Sequence, residues 1–202
     1  FSHQDRSLPG RLPTLETIHD RFARLLRLHL STSLRRPIEI QISNQAVCTF
    51  SDFTRTLEKP SSLHILRFEP YKGLGLLVLP ARMILTLVDL MFGGNGKEIE
   101  IAEDRDFTLI ENRLIVKIAE DICRCYTEAW SAVHPIQVQH VGSEINLQFI
   151  NIASQNEPVN MVDCELNVEN VTASLSMCIP HSTIEPVRDI LRGVFVNEDL
   201  EQ

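Results

Sequence analysis

The chain has 202 residues, 44% of them hydrophobic and 23% charged, which is the composition of a globular protein long enough to bury a sizeable core. Its formal net charge of −8 leaves no surplus of lysine and arginine to neutralise phosphates, which argues against nucleic acid as a partner. Because no stretch of about 18 consecutive apolar residues occurs, direct membrane insertion is not expected either.

The first segment is predicted to be a linker that leads into a helix. Residues 1–12 contain proline and glycine without periodicity, and they begin without methionine, as expected of a cut inside a longer protein. Thr14 is a candidate N-cap for a helix that extends to about residue 34. Apolar residues recur along this helix at the spacing of one face: Leu15, Ile18, Phe22, Leu25 and Leu26.

The rest of the first half contains strand and helix patterns. Isoleucines alternate with polar residues after Pro37, which predicts a half-buried strand, and Pro80 suits the first turn of a helix. The predicted elements are strands over 38–42, 63–68 and 75–79, a short helix over 50–57, and a helix from 80 to the glycines that begin at 93.

Three glycines follow this helix within four residues, in the segment Phe92-Gly93-Gly94-Asn95-Gly96-Lys97. A phosphate-binding loop is excluded, because Glu98 stands where that loop needs serine or threonine. One explanation is a helix C-cap, in which glycine adopts a left-handed conformation without side-chain strain. The other is an exposed backbone surface that a partner protein can approach closely. The residues alone leave both explanations open.

The second half repeats this order of elements. Thr108 and Glu111 have the spacing of a capping box, in which a hydroxyl and a carboxylate accept hydrogen bonds from backbone N–H groups at a helix start. The predicted elements are a helix over 108–134, strands over 136–139, 145–149, 161–168 and 172–179, a final helix over 183–192, and an acidic linker over 196–202.

A shift of about 100 residues brings parts of the two halves into register. The predicted domain therefore covers residues 13–195 and contains two pseudo-symmetric halves, 13–96 and 107–195. Because its strands are short and joined by turns, we predict an α/β fold with a largely antiparallel sheet and helices on its faces. The matching pairs are Pro80 and Pro180, Ile84 and Ile184, Asp89 and Asp189, and Gly93 and Gly193.

The repeat separates the glycines into two groups. Gly193 is a lone glycine at the place that matches Gly93, so one glycine suffices for the helix cap in both halves. Gly94 and Gly96 are then additional, and we predict that they make the partner contact. Valine at either position is expected to weaken that contact while leaving the stability of the fold unchanged.

No group of residues in the sequence has the spacing of a catalytic or metal-binding motif. The five cysteines are irregularly spaced without a CxxC pair, and the seven histidines form no HExxH motif. No serine lies in a GxSxG elbow. The sequence therefore predicts reduced, mostly buried thiols and structural or surface histidines. It predicts no catalytic residue, metal or cofactor.

From Phe92 to Gly96 the sequence resembles the middle domain of the flagellar motor switch family FliM, which carries a GGxG turn at this place. The resemblance covers roughly residues 12–195. It is supported by further segments in the same order: Leu12-Pro13-Thr14-Leu15-Glu16, Arg21-Phe22-Ala23-Arg24, Phe107-Thr108, Tyr126, Ala129-Trp130, Pro180 and Ile184-Glu185-Pro186.

The resemblance implies a three-layer α/β/α sandwich, a fold shared with the CheC and CheX phosphatases. It implies that the segment 92–97 contacts the middle domain of FliG, and that neighbouring FliM copies pack side by side in the C-ring. This ring lies in the cytoplasm at the flagellar basal body, next to the inner membrane. FliN and phosphorylated CheY would bind through flanking segments absent from this chain. The implied role is a non-enzymatic relay of chemotaxis signals into rotation-direction switching.

The shared fold also raises a rival hypothesis, a phosphatase that acts on phosphorylated CheY. The related phosphatases use a glutamate followed three residues later by an asparagine. Here Leu114 follows Glu111 at that spacing, and His19 follows Glu16, so neither half matches the phosphatase pattern. Since Glu111 has a sufficient role in the capping box, we predict no phosphatase activity.

Overall fold

The computed structural model describes residues 11–96 and 100–193. Within these residues, six strands form one antiparallel sheet in the order β1-β5-β6-β3-β2-β4. The strands are β1 (Glu39–Thr49), β2 (Ser61–Glu69), β3 (Gly73–Pro80), β4 (Gln137–Glu144), β5 (Pro158–Val168) and β6 (Val171–Pro180). The predicted α/β class and antiparallel sheet are confirmed.

The helices cover the two faces of the sheet unequally. One face carries the long helices and the larger core, in which Phe22, Tyr126 and Trp130 are buried among aliphatic side chains. The other face carries a smaller core around Phe50 and Phe53 under one short helix. The helices are α1 (Pro13–Leu34), α2 (Phe50–Arg55), α3 (Ala81–Met91), α4 (Leu109–Ser131), α5 (His181–Ile184) and α6 (Arg188–Leu191).

The strand order is compatible with the predicted repeat. Exchanging β1, β2 and β3 with β4, β5 and β6 turns the order into its own reverse. Each half therefore supplies one edge strand and one neighbouring strand pair to a symmetric arrangement. The pseudo-two-fold repeat of the sequence stays a prediction.

The predicted N-cap of the first helix, Thr14, is two positions late, since the observed N-cap is Leu12. The helix begins at Pro13, because a first helical residue needs no free N–H group and proline has none. Thr14 lies inside the first turn, and Leu12 before it is buried in the core, although a linker was predicted there. Residues 1–10 and 194–202 lie outside the described part of the chain, as does most of both predicted linkers.

The predicted strand over 145–149 is also wrong. The chain forms a 3-10 helix (Leu147–Phe149), in which the Asn146 side chain accepts a hydrogen bond from the Gln148 N–H at 2.9 Å. Alternating apolar residues indicated a strand, but Ile145 and Phe149 are exposed. The chain turns here because the hydrogen bond from the Gln148 N–H to the Asn146 side chain stabilises a turn relative to an extended strand.

The predicted final helix, 183–192, is interrupted. A 3-10 helix (Glu185–Val187) separates α5 from α6, because Pro186 has no N–H group to continue the helical hydrogen bonds. Pro80 ends β3 and occupies the N-cap position of α3, rather than its first turn. No helix among the described residues is both long enough and apolar enough to cross a membrane.

Candidate partner-binding turn

The helix that precedes the turn is anchored by one apolar face. It contacts β6 and β3, and it adds its side chains to the larger core. This anchoring fixes the direction in which the end of α3 leaves the sheet. The buried core residues of α3 are Ala81, Met83, Ile84, Leu87 and Leu90.

The end of α3 forms a complete C-terminal cap. Gly93 has a left-handed backbone, with φ of +85°, and its N–H donates to the Leu90 carbonyl at 3.1 Å. The Gly94 N–H donates to the Asp89 carbonyl at 2.8 Å. These two bonds define a Schellman motif, so Gly93 is a helix C-cap glycine, as one of the two explanations predicted.

The Asp89 side chain then holds the next part of the turn. Its Oδ2 accepts a hydrogen bond from the Gly96 N–H at 2.8 Å. The same residue therefore binds the chain twice, through its carbonyl to Gly94 and through its carboxylate to Gly96. Bonds to an ionised group are among the stronger hydrogen bonds in proteins, so the path from Gly93 to Gly96 is well defined.

Close packing gives Gly94 and Gly96 structural roles of their own. A Cβ atom on Gly94 would overlap the Asp89 carboxylate. Gly96 is buried with φ of +71°, and a Cβ there would lie 3.3 Å from Thr86 Cγ2. The geometry argues against the expectation that valine at 94 or 96 leaves the stability of the fold unchanged, because a Cβ on Gly94 would meet Asp89 and Gly96 has a left-handed backbone in a crowded site.

The exposed part of the turn is different from the part that the repeat predicted. The side chain of Phe92 is 74% exposed, and a Cβ on Gly93 would meet no other described residue within 4 Å. Asn95 is exposed, whereas Gly94 is half-buried. The accessible surface thus consists of Phe92, Gly93 and Asn95, and Lys97 lies outside the described residues.

Asp89 holds the turn in place, a structural role that was not predicted from the sequence. A carboxylate in the last turn of a helix lies at the negative end of the helix dipole, which is unfavourable unless the carboxylate has a partner. This local conflict is the one signal in the sequence that could have predicted a fold-back of the following segment onto Asp89.

The family follows from sequence similarity along most of the chain. The sequence profile described as flagellar motor switch protein FliM matches residues 9–196. The chain belongs to the FliM family. The FliM of Pseudomonas aeruginosa is 34% identical over all of this chain. That match covers 62% of the relative, so the chain spans less than two thirds of its length.

Solved structures of FliM proteins have the same fold. The crystal structure of a FliM middle domain from V. alginolyticus is 33% identical, with a TM-score of 0.78 over 89% of this chain and 100% of that chain. The chain is also similar to a chain of the crystal structure of a FliG–FliM complex from H. pylori. The two are 26% identical, and they superpose with a TM-score of 0.82 over 87% of this chain and 96% of that chain.

The glutamate of the rival phosphatase hypothesis is fully engaged in this FliM-family chain. Glu111 accepts bonds from the Thr108 N–H at 2.9 Å and from Arg105 Nη2 at 2.7 Å. The Arg105 bond is the main reason that the pKa of Glu111 is lowered. The side chain of Asn112 donates to the Phe107 carbonyl at 3.2 Å. The predicted capping box is confirmed, and both polar side chains serve the start of α4.

The buried histidines also have structural partners. His19 Nδ1 lies 2.8 Å from Gln45 Oε1, and its Nε2 lies 2.9 Å from the Tyr126 hydroxyl. Burial lowers the pKa of His19 to about 4, so the ring is neutral at pH 7. His64, which bonds to Ser62 and His140, has its pKa lowered by burial to about 3.

The cysteine thiols are also unreactive in their surroundings. All five cysteines are free, and four of them are buried. Burial raises the pKa of Cys164 to about 12, which makes its thiolate, the reactive form, scarce at pH 7. No group of three or more potential metal ligands from histidine, cysteine, aspartate and glutamate occurs in residues 11–96 and 100–193.

Proposed function

We propose that this chain is the middle domain of a flagellar motor switch subunit that binds FliG through the turn at 92–97. The observation that carries the proposal is Phe92, a large apolar side chain that is 74% exposed on a turn whose backbone is fixed by Asp89. Family membership and the likeness to a FliM protein solved in complex with FliG support the choice of partner.

The geometry suits a protein contact in two ways. A pre-formed turn loses little conformational entropy on binding, since the Schellman bonds and Asp89 already hold it. An exposed aromatic residue next to a glycine without a side chain can enter a pocket while the partner approaches the backbone closely. Gly94 and Gly96 contribute by letting the chain fold tightly under this surface.

The test compares two exposed phenylalanines on opposite faces of the sheet. Phe92→Ala should weaken binding to the middle domain of FliG by about 30-fold, or ~2 kcal/mol, the loss typical of an interface hot spot. Phe149→Ala is the matched control, because Phe149 is 67% exposed and its 3-10 helix packs on the smaller core. Calorimetric titration of FliG measures both affinities.

The fold must stay intact for the comparison to hold. Both side chains are exposed, so the free energy of unfolding should change by no more than about 0.5 kcal/mol in either variant. Equal affinities of the two variants and the unmodified chain would mean that the turn is only a helix cap.

Contacts between copies are the second part of the proposal. The exposed faces of α1 and α4 are the candidates for side-by-side packing of FliM copies. Leu28 on α1 is 63% exposed, and it borders a groove with Arg124 and Glu128 of α4. An apolar residue next to charges of both signs suits a protein interface better than a lipid or nucleic-acid surface.

The proposed role is a conformational relay without catalysis. Phosphorylated CheY and FliN would act through flanking segments, and the domain would reorient FliG in the cytoplasmic C-ring at the basal body, beside the inner membrane. The hydrogen bonds of Glu111 with Arg105 and Thr108 support a structural role for this glutamate, rather than the catalytic role that the phosphatase hypothesis would give it.

A further inference from the structure

A cavity of about 310 Å³ lies between α1, α3, α4 and the sheet, directly under the end of α3. Its exposed wall residues, which mark where it meets solvent, are Ser33, Met91, Phe92 and Lys117. The interior wall is made of apolar side chains from all four surrounding elements: Leu26, Leu30, Met83, Leu87, Ile118 and Leu166.

The histidine, lysine and aspartate side chains that line this cavity belong to α1 and α4. His29 Nε2 lies 3.2 Å from Asp121 Oδ2, and Asp121 is also paired with Arg124. The charge of Asp121 is therefore balanced. Lys117, exposed on the same helix, has no ion-pair partner among the described residues and lines the cavity. The rim thus has one uncompensated positive charge.

We propose that this cavity is a binding site for a small amphipathic molecule with an aliphatic body and an anionic head, such as a medium-chain carboxylate. The aliphatic body would fill the space next to Leu87, and the carboxylate would lie at the rim near Lys117. The site shares Phe92 with the turn at 92–97, so an occupant would contact Met91 and Phe92 where the turn begins.

The size of the cavity sets the size of the ligand. An engineered apolar cavity of about 150 Å³ binds benzene, so a cavity of twice that volume accepts a chain of about eight carbons. Natural ligand sites begin at about 300 Å³ and combine mostly apolar walls with a few polar groups that fix the orientation. Both properties are present here.

The test is a calorimetric titration of the chain with octanoate, and with 1-octanol as a ligand of equal length without charge. Octanoate should bind with one-to-one stoichiometry and about threefold more tightly than 1-octanol, the factor expected of one exposed charge pair. Lys117→Gln should bring the two affinities together. Lys59→Gln, which removes an exposed lysine far from the cavity, should leave the threefold ratio unchanged.

A second variant and a second measurement locate the ligand. Leu87→Phe fills part of the cavity and should weaken octanoate binding about tenfold. In the unmodified chain, methyl NMR shifts should change at Met83, Leu87 and Ile118, and not at Leu57 on the other face of the sheet.

Three results would overturn the site: an absence of saturable binding, shift changes confined to other surfaces, or undiminished affinity in a folded Leu87→Phe variant. FliG takes no part in these titrations, so their outcome is separate from that of the proposed function.

Discussion

The helix ends at Gly93 and Gly193 match in the sequence and differ in their surroundings. Both glycines have left-handed backbones, with φ of +85° and +70°. Asp89 uses its carboxylate to hold the Gly96 N–H, whereas the side chain of Asp189 is 95% exposed and lies 3.8 Å from Arg192. The same residue at the same distance from a glycine is a structural clamp in one half and a surface charge in the other.

The helices that end at these glycines differ too. α3 runs without interruption for 11 residues, whereas Pro186 divides the corresponding segment into α5, a 3-10 helix and α6. A continuous helix with a buried face gives the first turn a fixed base. The comparison shows that a glycine cap is common to both halves, while within residues 11–96 and 100–193 the clamped turn behind an exposed Phe92 occurs in the first half.

The largest effect that sharpens this comparison is expected from valine at Gly96. Gly96→Val should lower the free energy of unfolding by about 2–4 kcal/mol, through left-handed strain and crowding against Thr86. Gly93→Val, with similar backbone strain but open space around it, should cost only about 1–2 kcal/mol. Urea unfolding measures both. If both variants lost the same unfolding free energy, crowding around Gly96 would add nothing to the cost of the backbone strain.

A second difference between the halves is the buried His19 of α1, where α4 has Leu114 after its own glutamate. The pKa of His19 in the folded chain, about 4, lies below the ordinary histidine pKa of about 6.5, so the unfolded chain binds a proton first as pH falls. His19 therefore stabilises the fold fully above about pH 6.5, and stability is lost toward pH 4 by about 1.4 kcal/mol per pH unit.

The control for this slope is His19→Gln, which can still form hydrogen bonds but does not titrate. Its unfolding free energy should fall less steeply with decreasing pH than that of the unmodified chain, because the remaining titrating groups, His64 among them, are common to both. Parallel pH profiles in urea unfolding would rule out a buried neutral His19.

The smallest expected effect separates the two aspartates directly. Asp89→Ala removes the bond to the Gly96 N–H and should cost about 1 kcal/mol of stability, while also weakening FliG binding through a looser turn. Asp189→Ala is the matched control, and its effect should stay within about 0.5 kcal/mol because that side chain is exposed. If Asp89→Ala and Asp189→Ala lost the same amount of stability in denaturation and the same affinity in the FliG titration, Asp89 would have no special role.

Most of the fold could be predicted because its signals are local. Alternation in the sheet strands, the Thr108–Glu111 capping box and Gly93 after an apolar helix each depend on neighbouring residues, and each prediction is confirmed. The same kind of signal failed over 145–149, where the Asn146 side chain competes with strand formation. Pro186 was visible in the sequence, and its effect on the final helix was underestimated.

The sequence by itself determined the family, the order of elements and the place of the turn, because these follow from periodicity, caps and a chain of matching segments. Only the tertiary structure decided which part of the turn is accessible. A Cβ on Gly96 would lie 3.7 Å from Val171 Cγ2, on a strand far along the chain, and burial by such a distant residue leaves no local pattern. Within the predicted segment 92–97, Phe92, Gly93 and Asn95 are exposed, whereas Gly94 is half-buried and Gly96 is buried.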